Sequence, residues 1–260
     1  MLRMIFDSHA HYDDEAFDKD RDIILSSLKD NNIGYVVDIG ADMESTNKAV
    51  ELSEKYPFIY AAAGIHPSSA EECTQDNLKR LKQISLNEKV VAIGETGLDY
   101  HYEQVDKKRQ KECFEAQIDL AHKVKLPVVI HSREAAKDTL DMMKSLDAAS
   151  VGGVIHCFSY GREMACEYLD MGFYIGIGGV LTFSNAKKLK EVTEYIPLDR
   201  ILLETDCPYL SPEPNRGKRN SSLNIPYVVK AIAAIKGLSE QEVISATCEN
   251  ALKMYGITEV

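Results

Sequence analysis

Met4-Ile5-Phe6-Asp7-Ser8-His9-Ala10-His11 is a short apolar run that ends in two histidines. Apolar, partly β-branched and aromatic residues lead it, which reads as a strand from Met4 to Ser8. An open, doubly wound sheet normally follows its first strand with a glycine-rich phosphate loop. Here His9 and His11 take that place. Side chains two apart on a strand share a face, so the two imidazoles converge on one point. Barrels of the (β/α)8 type carry their chemistry at the C-terminal ends of the strands, and an ending of this kind selects the barrel over the open sheet.

Seven further runs of the same kind follow: Tyr35 to Ile39, Ile59 to Ala63, Val90 to Ile93, Pro127 to Ile130, Gly153 to Ile155, Phe173 to Ile177 and Ile201 to Leu203. Longer segments with apolar residues at helical spacing lie between them, as in Ile23, Ile24 and Leu28 or Phe114, Ile118 and Ala121. Strand and helix alternating eight times predict an α/β fold, a (β/α)8 TIM barrel. No linker rich in proline, glycine or serine interrupts the rhythm, so residues 1–260 are expected to form one barrel domain. Two helices are predicted at the end, Ile225 to Lys236 and Ser239 to Tyr255, the second with Ser239 as N-cap and Glu242 completing a capping box. That extra C-terminal helix is expected to pack on the outside of the barrel.

The strand ends carry a set of metal-ligand residue types. Strand four runs into Gly94-Glu95-Thr96-Gly97-Leu98-Asp99, read as a glycine-rich turn, strand five into His131-Ser132-Arg133 and strand six into His156-Cys157-Phe158-Ser159; strand eight ends in Glu204-Thr205-Asp206-Cys207-Pro208. Imidazole nitrogen and carboxylate oxygen together suit zinc, manganese or magnesium. His9, His11, Glu95, His131, His156 and Asp206 are therefore expected to hold two divalent ions, with Glu95 able to bridge them through its two oxygens. Asp206 is also placed to take a proton from an attacking water, which makes Glu95 and Asp206 the candidate catalytic pair. Glu204, two residues before Asp206, is read as orienting a ligand histidine. The plain alternatives are an ion pair between Glu95 and Arg133, ordinary charge pairing of Glu204 and satisfied core histidines.

Three weaker signals surround this set. His66, in Gly64-Ile65-His66-Pro67, can touch substrate; Arg133 can hold a phosphate; and the basic loop Asn215 to Asn220, with Arg216, Lys218 and Arg219, follows strand eight. Cys157 and Cys207 neighbour proposed ligands, but alternation points them away from the interior, and they read as packing residues. The chain has 30 basic and 41 acidic residues, a net charge of −11, which disfavours a protein that coats nucleic acid by charge alone. Six cysteines without paired spacing fit a reducing cytoplasm rather than a disulfide framework. The segment MLRMIFDSHAHYDDE meets acidic residues too early for a signal peptide, and no apolar run is long enough to span a membrane.

Taken with their order and spacing, Phe6-Asp7-Ser8-His9-Ala10-His11, Gly64-Ile65-His66-Pro67, Gly94 to Tyr100, Pro127 to Arg133, His156 to Ser159 and Leu203 to Leu210 strongly resemble the TatD family of metal-dependent deoxyribonucleases within the amidohydrolase superfamily. The resemblance spans essentially the whole chain. It implies that His9, His11, Glu95 and Asp206 bind one metal and Glu95, His131 and His156 the other. It further implies hydrolysis of DNA phosphodiesters from 3′ ends, of single strands or 3′ termini, using magnesium, manganese or zinc; a monomer is the expected state. Arg216-Gly217-Lys218-Arg219 matches the family's R-G-K-R stretch, which would face DNA. Four positions depart from the family pattern: Ser68, where histidine is common, Tyr160, where glycine is usual, and Ser221 and Ser222 after Asn220. Rival functions are a barrel hydrolase acting on a small ester, lactone or aminoacyl ester, and a non-catalytic metal-stabilised nucleic-acid adaptor.

Overall fold

A computed structural model describes residues 3–101 and 106–258. Eight strands, β1 (Ile5–Ala10), β2 (Ile33–Ile39), β3 (Ile59–Ala63), β4 (Val90–Asp99), β5 (Val128–Arg133), β6 (Gly153–Ile155), β7 (Tyr174–Ile177) and β8 (Ile201–Leu203), form one sheet in sequential order. All seven neighbouring pairs are parallel. The ring closes between its ends, where the Asp206 N–H donates to the His9 carbonyl at 2.9 Å and the His11 N–H to the Cys207 carbonyl at 2.9 Å. Helices α1 (Arg21–Leu28), α2 (Met43–Lys55), α3 (Gln75–Ile84), α4 (Lys107–Val124), α5 (Ala136–Ser145), α6 (Arg162–Asp170), α7 (Lys187–Tyr195) and α8 (Ile225–Lys236) alternate with the strands, and α9 (Glu240–Tyr255) follows.

Period-two alternation sorts the strand residues into two cores. Ile5, Val36, Ala61, Val128, Ile155 and Ile201 pack outward against the helices. Their neighbours Phe6, Val37, Ala62, Val129, Val154 and Leu202 fill the barrel interior. Burial on both faces is why these strands read as continuous apolar runs rather than alternating ones. The same parity carries His131 after Val129, His156 after Val154 and Glu204 after Leu202 into the mouth.

In β1 and β4 the parity changes along the strand. Phe6 faces inward, yet Ala10 lies in the outer core. A register shift between Asp7 and Ala10 makes the switch and turns His9 inward. Likewise Ile93 and Leu98 both face outward, and a register shift between Ile93 and Thr96 brings Glu95 inward. Such irregularities re-aim side chains next to functional sites. Residues 94–97, expected as a turn, are thus part of a strand that runs on to Asp99. Gly97 is required there: with φ at 143°, a Cβ would sit 1.9 Å from the His131 carbonyl oxygen.

The last helix does not lie on the outside of the barrel. Its Cys248, Ala251, Leu252 and Tyr255 belong to the interior core, so α9 forms the floor under the N-terminal ends of the strands. Tyr255 stacks on Phe6, ring centroids 5.9 Å apart, and its hydroxyl donates to the Ser8 carbonyl at 2.7 Å. The capping box expected at Ser239 and Glu242 is present, and Gly256, with φ at 65°, ends the helix. Tyr255→Ala removes both the ring and the hydrogen bond, and the expected loss is about 3–5 kcal/mol of stability. Urea denaturation measures it, the midpoint falling while the slope is held.

Candidate metal centre

A cavity of about 820 Å³ opens at the C-terminal ends of the strands, lined among others by His11, Glu95, His131, His156 and Asp206. Glu95 stands at its centre. Its Oε1 lies 2.8 Å from His131 Nδ1 and 2.9 Å from His156 Nε2. Its Oε2 lies 3.4 Å from His9 Nε2 and 3.8 Å from His11 Nε2. Asp206 Oδ1 completes the second group, 3.6 Å from His9 Nε2 and 3.4 Å from His11 Nε2. The two oxygens of one carboxylate thus serve two donor groups.

Ligand atoms at ~2.1 Å from a tetrahedral or octahedral ion lie roughly 3.0–3.4 Å from one another. Most of the spacings here fall in or close to that range, including 3.2 Å between His9 Nε2 and His11 Nε2. Either a proton shared between these two imidazole nitrogens or a cation beside them satisfies so close an approach. The donor set therefore fits divalent metal.

Neighbouring groups fix the ring orientations. His11 Nδ1 lies 2.8 Å from the Ile39 carbonyl, which demands an N–H there and leaves Nε2 for the cavity. His131 Nε2 lies 3.1 Å from Asp99 Oδ2, leaving Nδ1 for Glu95 and the centre. Glu204 sits behind His156, its Oε2 3.9 Å from Nδ1, and its Oε1 accepts the Cys157 N–H at 2.6 Å. Asp206 has φ at 56°, a left-handed conformation that aspartate tolerates, and its turn is closed by the Tyr209 N–H donating to the Asp206 carbonyl at 2.9 Å.

Electrostatics mark the centre as hungry for positive charge. Burial opposes charge on Glu95, yet the surrounding histidines hold it well below the usual carboxylate range. Burial likewise opposes charge on His11 and His131, but Asp206 and Glu95 lift His11 to about 10, and Asp99 and Glu95 lift His131 to about 9. His9, desolvated and beside His156, drops to about 4. At neutral pH protons therefore occupy positions a metal would take, and metal must expel them. Metal affinity is expected to climb with pH until His131 and His11 have lost their protons, at about 9 and about 10, with protons released on binding. Calorimetric titration in buffers of differing ionisation enthalpy reads both.

Asp99 and Asp7 were quoted in the motifs without a role. Asp99 lies four residues after Glu95 in a strand that continues, so period two places both on one face; the expected turn hid this. Asp7 is fully buried and ties the barrel seam. It accepts from Thr205 Oγ1 at 2.8 Å and Ser222 Oγ at 2.6 Å, so a serine that departs from the family pattern has a defined structural partner. Tyr160, another departure, places its hydroxyl 2.9 Å from Ser132 Oγ. Cys157 lines the cavity, against the expectation from alternation: it follows β6 with φ at 46°, outside the strand's pleat. Burial pushes its thiol well up, which makes it a poor nucleophile. Cys207 is buried.

Arg133 and His66 both line the cavity. The basic loop behaves differently. Arg219 pairs with Asp20 at 2.6 Å and lies over the Phe17 ring, while Arg216 lies 4.2 Å over Phe183 and 3.9 Å from Glu213. The charge of Arg219 is compensated by Asp20, in the segment that follows β1. Lys218 is exposed.

A parallel barrel whose strand ends gather histidines and carboxylates around one cavity is the architecture of a metal-dependent hydrolase. The family described as "TatD related DNase" matches residues 6–256. The "Uncharacterized metal-dependent hydrolase YabD" of Bacillus subtilis is 45% identical over 98% of this chain and 100% of its own. The "3'-5' ssDNA/RNA exonuclease TatD" of Citrobacter rodentium is 32% identical, with 98% of each chain covered. The crystal structure of YjjV, a TatD homologue from Escherichia coli, superposes with a TM-score of 0.92 at 28% identity, covering 99% of this chain and 100% of that one. The chain belongs to the TatD family of metal-dependent hydrolases. Among the described residues, no helix is long and apolar enough to cross a membrane.

Proposed function

We propose that the protein is a two-metal deoxyribonuclease that removes nucleotides from the 3′ ends of DNA, preferring single strands. His9, His11, Glu95 and Asp206 would hold one ion, and Glu95, His131 and His156 the other. The observation that carries this reading is the division of the Glu95 oxygens between two donor groups. Magnesium, manganese or zinc there would supply the charge that polarises a phosphodiester and acidifies the attacking water. Asp206, at the open edge of its group, takes the water's proton. Asp99 holds the ring of His131, Glu204 stands 3.9 Å behind His156 Nδ1, and Arg133 at the cavity wall supplies a cation for a flanking phosphate. Six unpaired cysteines support a cytoplasmic home.

The test is an assay of 3′- and 5′-end-labelled single- and double-stranded DNA with each metal, beside a panel of lactones and aminoacyl esters. Stepwise shortening from the 3′ end is the expected result. Hydrolysis of the esters alone would remove the nuclease reading.

A further inference from the structure

His66 lies outside the ligand set proposed above, yet it stands against it. Its Nε2 is 3.7 Å from Glu95 Oε1, and its ring meets the His131 ring edge-on at 4.4 Å. With Asp99 and His131 it forms a third group whose donor atoms are close enough together to surround an ion. The positions of the protons decide between a third metal and another role.

The Ser68 backbone N–H, which can only donate, points at His66 Nδ1 from 3.1 Å. Nδ1 must therefore carry a lone pair, and the proton of the neutral ring sits on Nε2. Ser68 Oγ, 2.7 Å from the same Nδ1, then donates as well, so one residue fixes the tautomer twice. His66 is also the N-cap of the short turn Pro67–Glu72, which holds the ring in place. In the same group His131 Nε2 faces Asp99 Oδ2 and carries its proton toward that carboxylate. Two of the three atoms that would have to ligate an ion thus present hydrogens rather than lone pairs.

We propose that His66 Nε2–H is a fixed hydrogen-bond donor for an anionic oxygen of the substrate, a non-bridging phosphoryl oxygen, and that Ser68 is the positioning residue that sets its tautomer. The identity of the substrate rests on the nuclease reading; the tautomer and the exclusion of a third ion do not. A preorganised neutral N–H on the cavity wall stabilises developing negative charge without giving up its proton.

Three measurements test this. The ¹⁵N spectrum of imidazole-labelled, metal-loaded protein, assigned with His66→Gln, is expected to show His66 protonated at Nε2 alone; a proton on Nδ1 overturns the proposal. Metal analysis of His66→Gln and His66→Ala is expected to give the wild-type stoichiometry, and loss of one equivalent in both would mean that His66 is a ligand. In kinetics, His66→Ala should lower kcat roughly 10²–10³-fold with the melting temperature held, while His66→Gln, which keeps an N–H, recovers part of the loss. Ser68→Ala, which keeps the backbone donor, should lose only a few-fold. An unchanged kcat in His66→Ala overturns the donor role. If wild-type protein cleaves esters and leaves DNA intact, the nuclease reading falls, and the same measurements on the ester decide the role of His66.

Discussion

Asp206→Asn is expected to lower turnover by about 10²–10⁴-fold while the melting curve in the absence of metal stays close to wild type. The reasoning is local. Asparagine keeps the size of the side chain and tolerates the left-handed backbone at φ 56°, so the turn after β8 survives. The carbonyl oxygen can still reach toward His9 and His11, which Asp206 Oδ1 approaches at 3.6 and 3.4 Å. What is lost is the anion: its pull on metal and its capacity to accept a proton. Single-turnover kinetics at saturating metal separate the two, because a residue acting only as a ligand would be rescued there. Near-normal turnover under those conditions would remove Asp206 from the chemistry.

Glu95→Gln is expected to be as severe, on the order of 10³-fold in activity, and to differ in kind. One buried carboxylate here faces five imidazoles, those of His9, His11, His66, His131 and His156. The amide replaces one of its two acceptor oxygens by a donor, which would point an N–H at one of the two ligand groups. The proposed two-metal centre is therefore expected to fall to one ion or none by metal analysis. Without the Glu95 charge the histidines are also harder to protonate, so the variant should release fewer protons when metal is added than wild-type protein does. Full retention of two metals by Glu95→Gln would refute its bridging role.

Much of this was legible in the chain. Eight apolar runs announced eight strands because a parallel sheet covered by helices is buried on both faces, and β3, β6 and β8 begin and end where their patterns do. The six ligand candidates stood out because barrel chemistry sits where strands end. Three things were hidden, each for a physical reason. The register shifts in β1 and β4 invert which face a residue takes, and nothing local in Asp7 to Ala10 or Ile93 to Thr96 signals a displacement imposed by the neighbouring strand. The floor formed by α9 was missed because an amphipathic helix shows which side it buries and not against what. The pairing of Arg219 with Asp20 joins residues far apart in sequence, so a charge pattern read along the chain left the loop looking solvated and basic.

The floor also has a temporal meaning. Tyr255 and Ser8 are 247 positions apart, and their contact joins the first strand to the last helix. A ribosome therefore delivers Phe6 and its neighbours long before the segment that shields them from below. During synthesis the nascent barrel carries an uncovered apolar base that only the arrival of residues 248–255 can seal, and contacts of such long separation form late. Translation that stalls between α8 and α9 would leave a chain with all eight strands and all six candidate ligands but no base. Chaperones and proteases would meet that species before any substrate did.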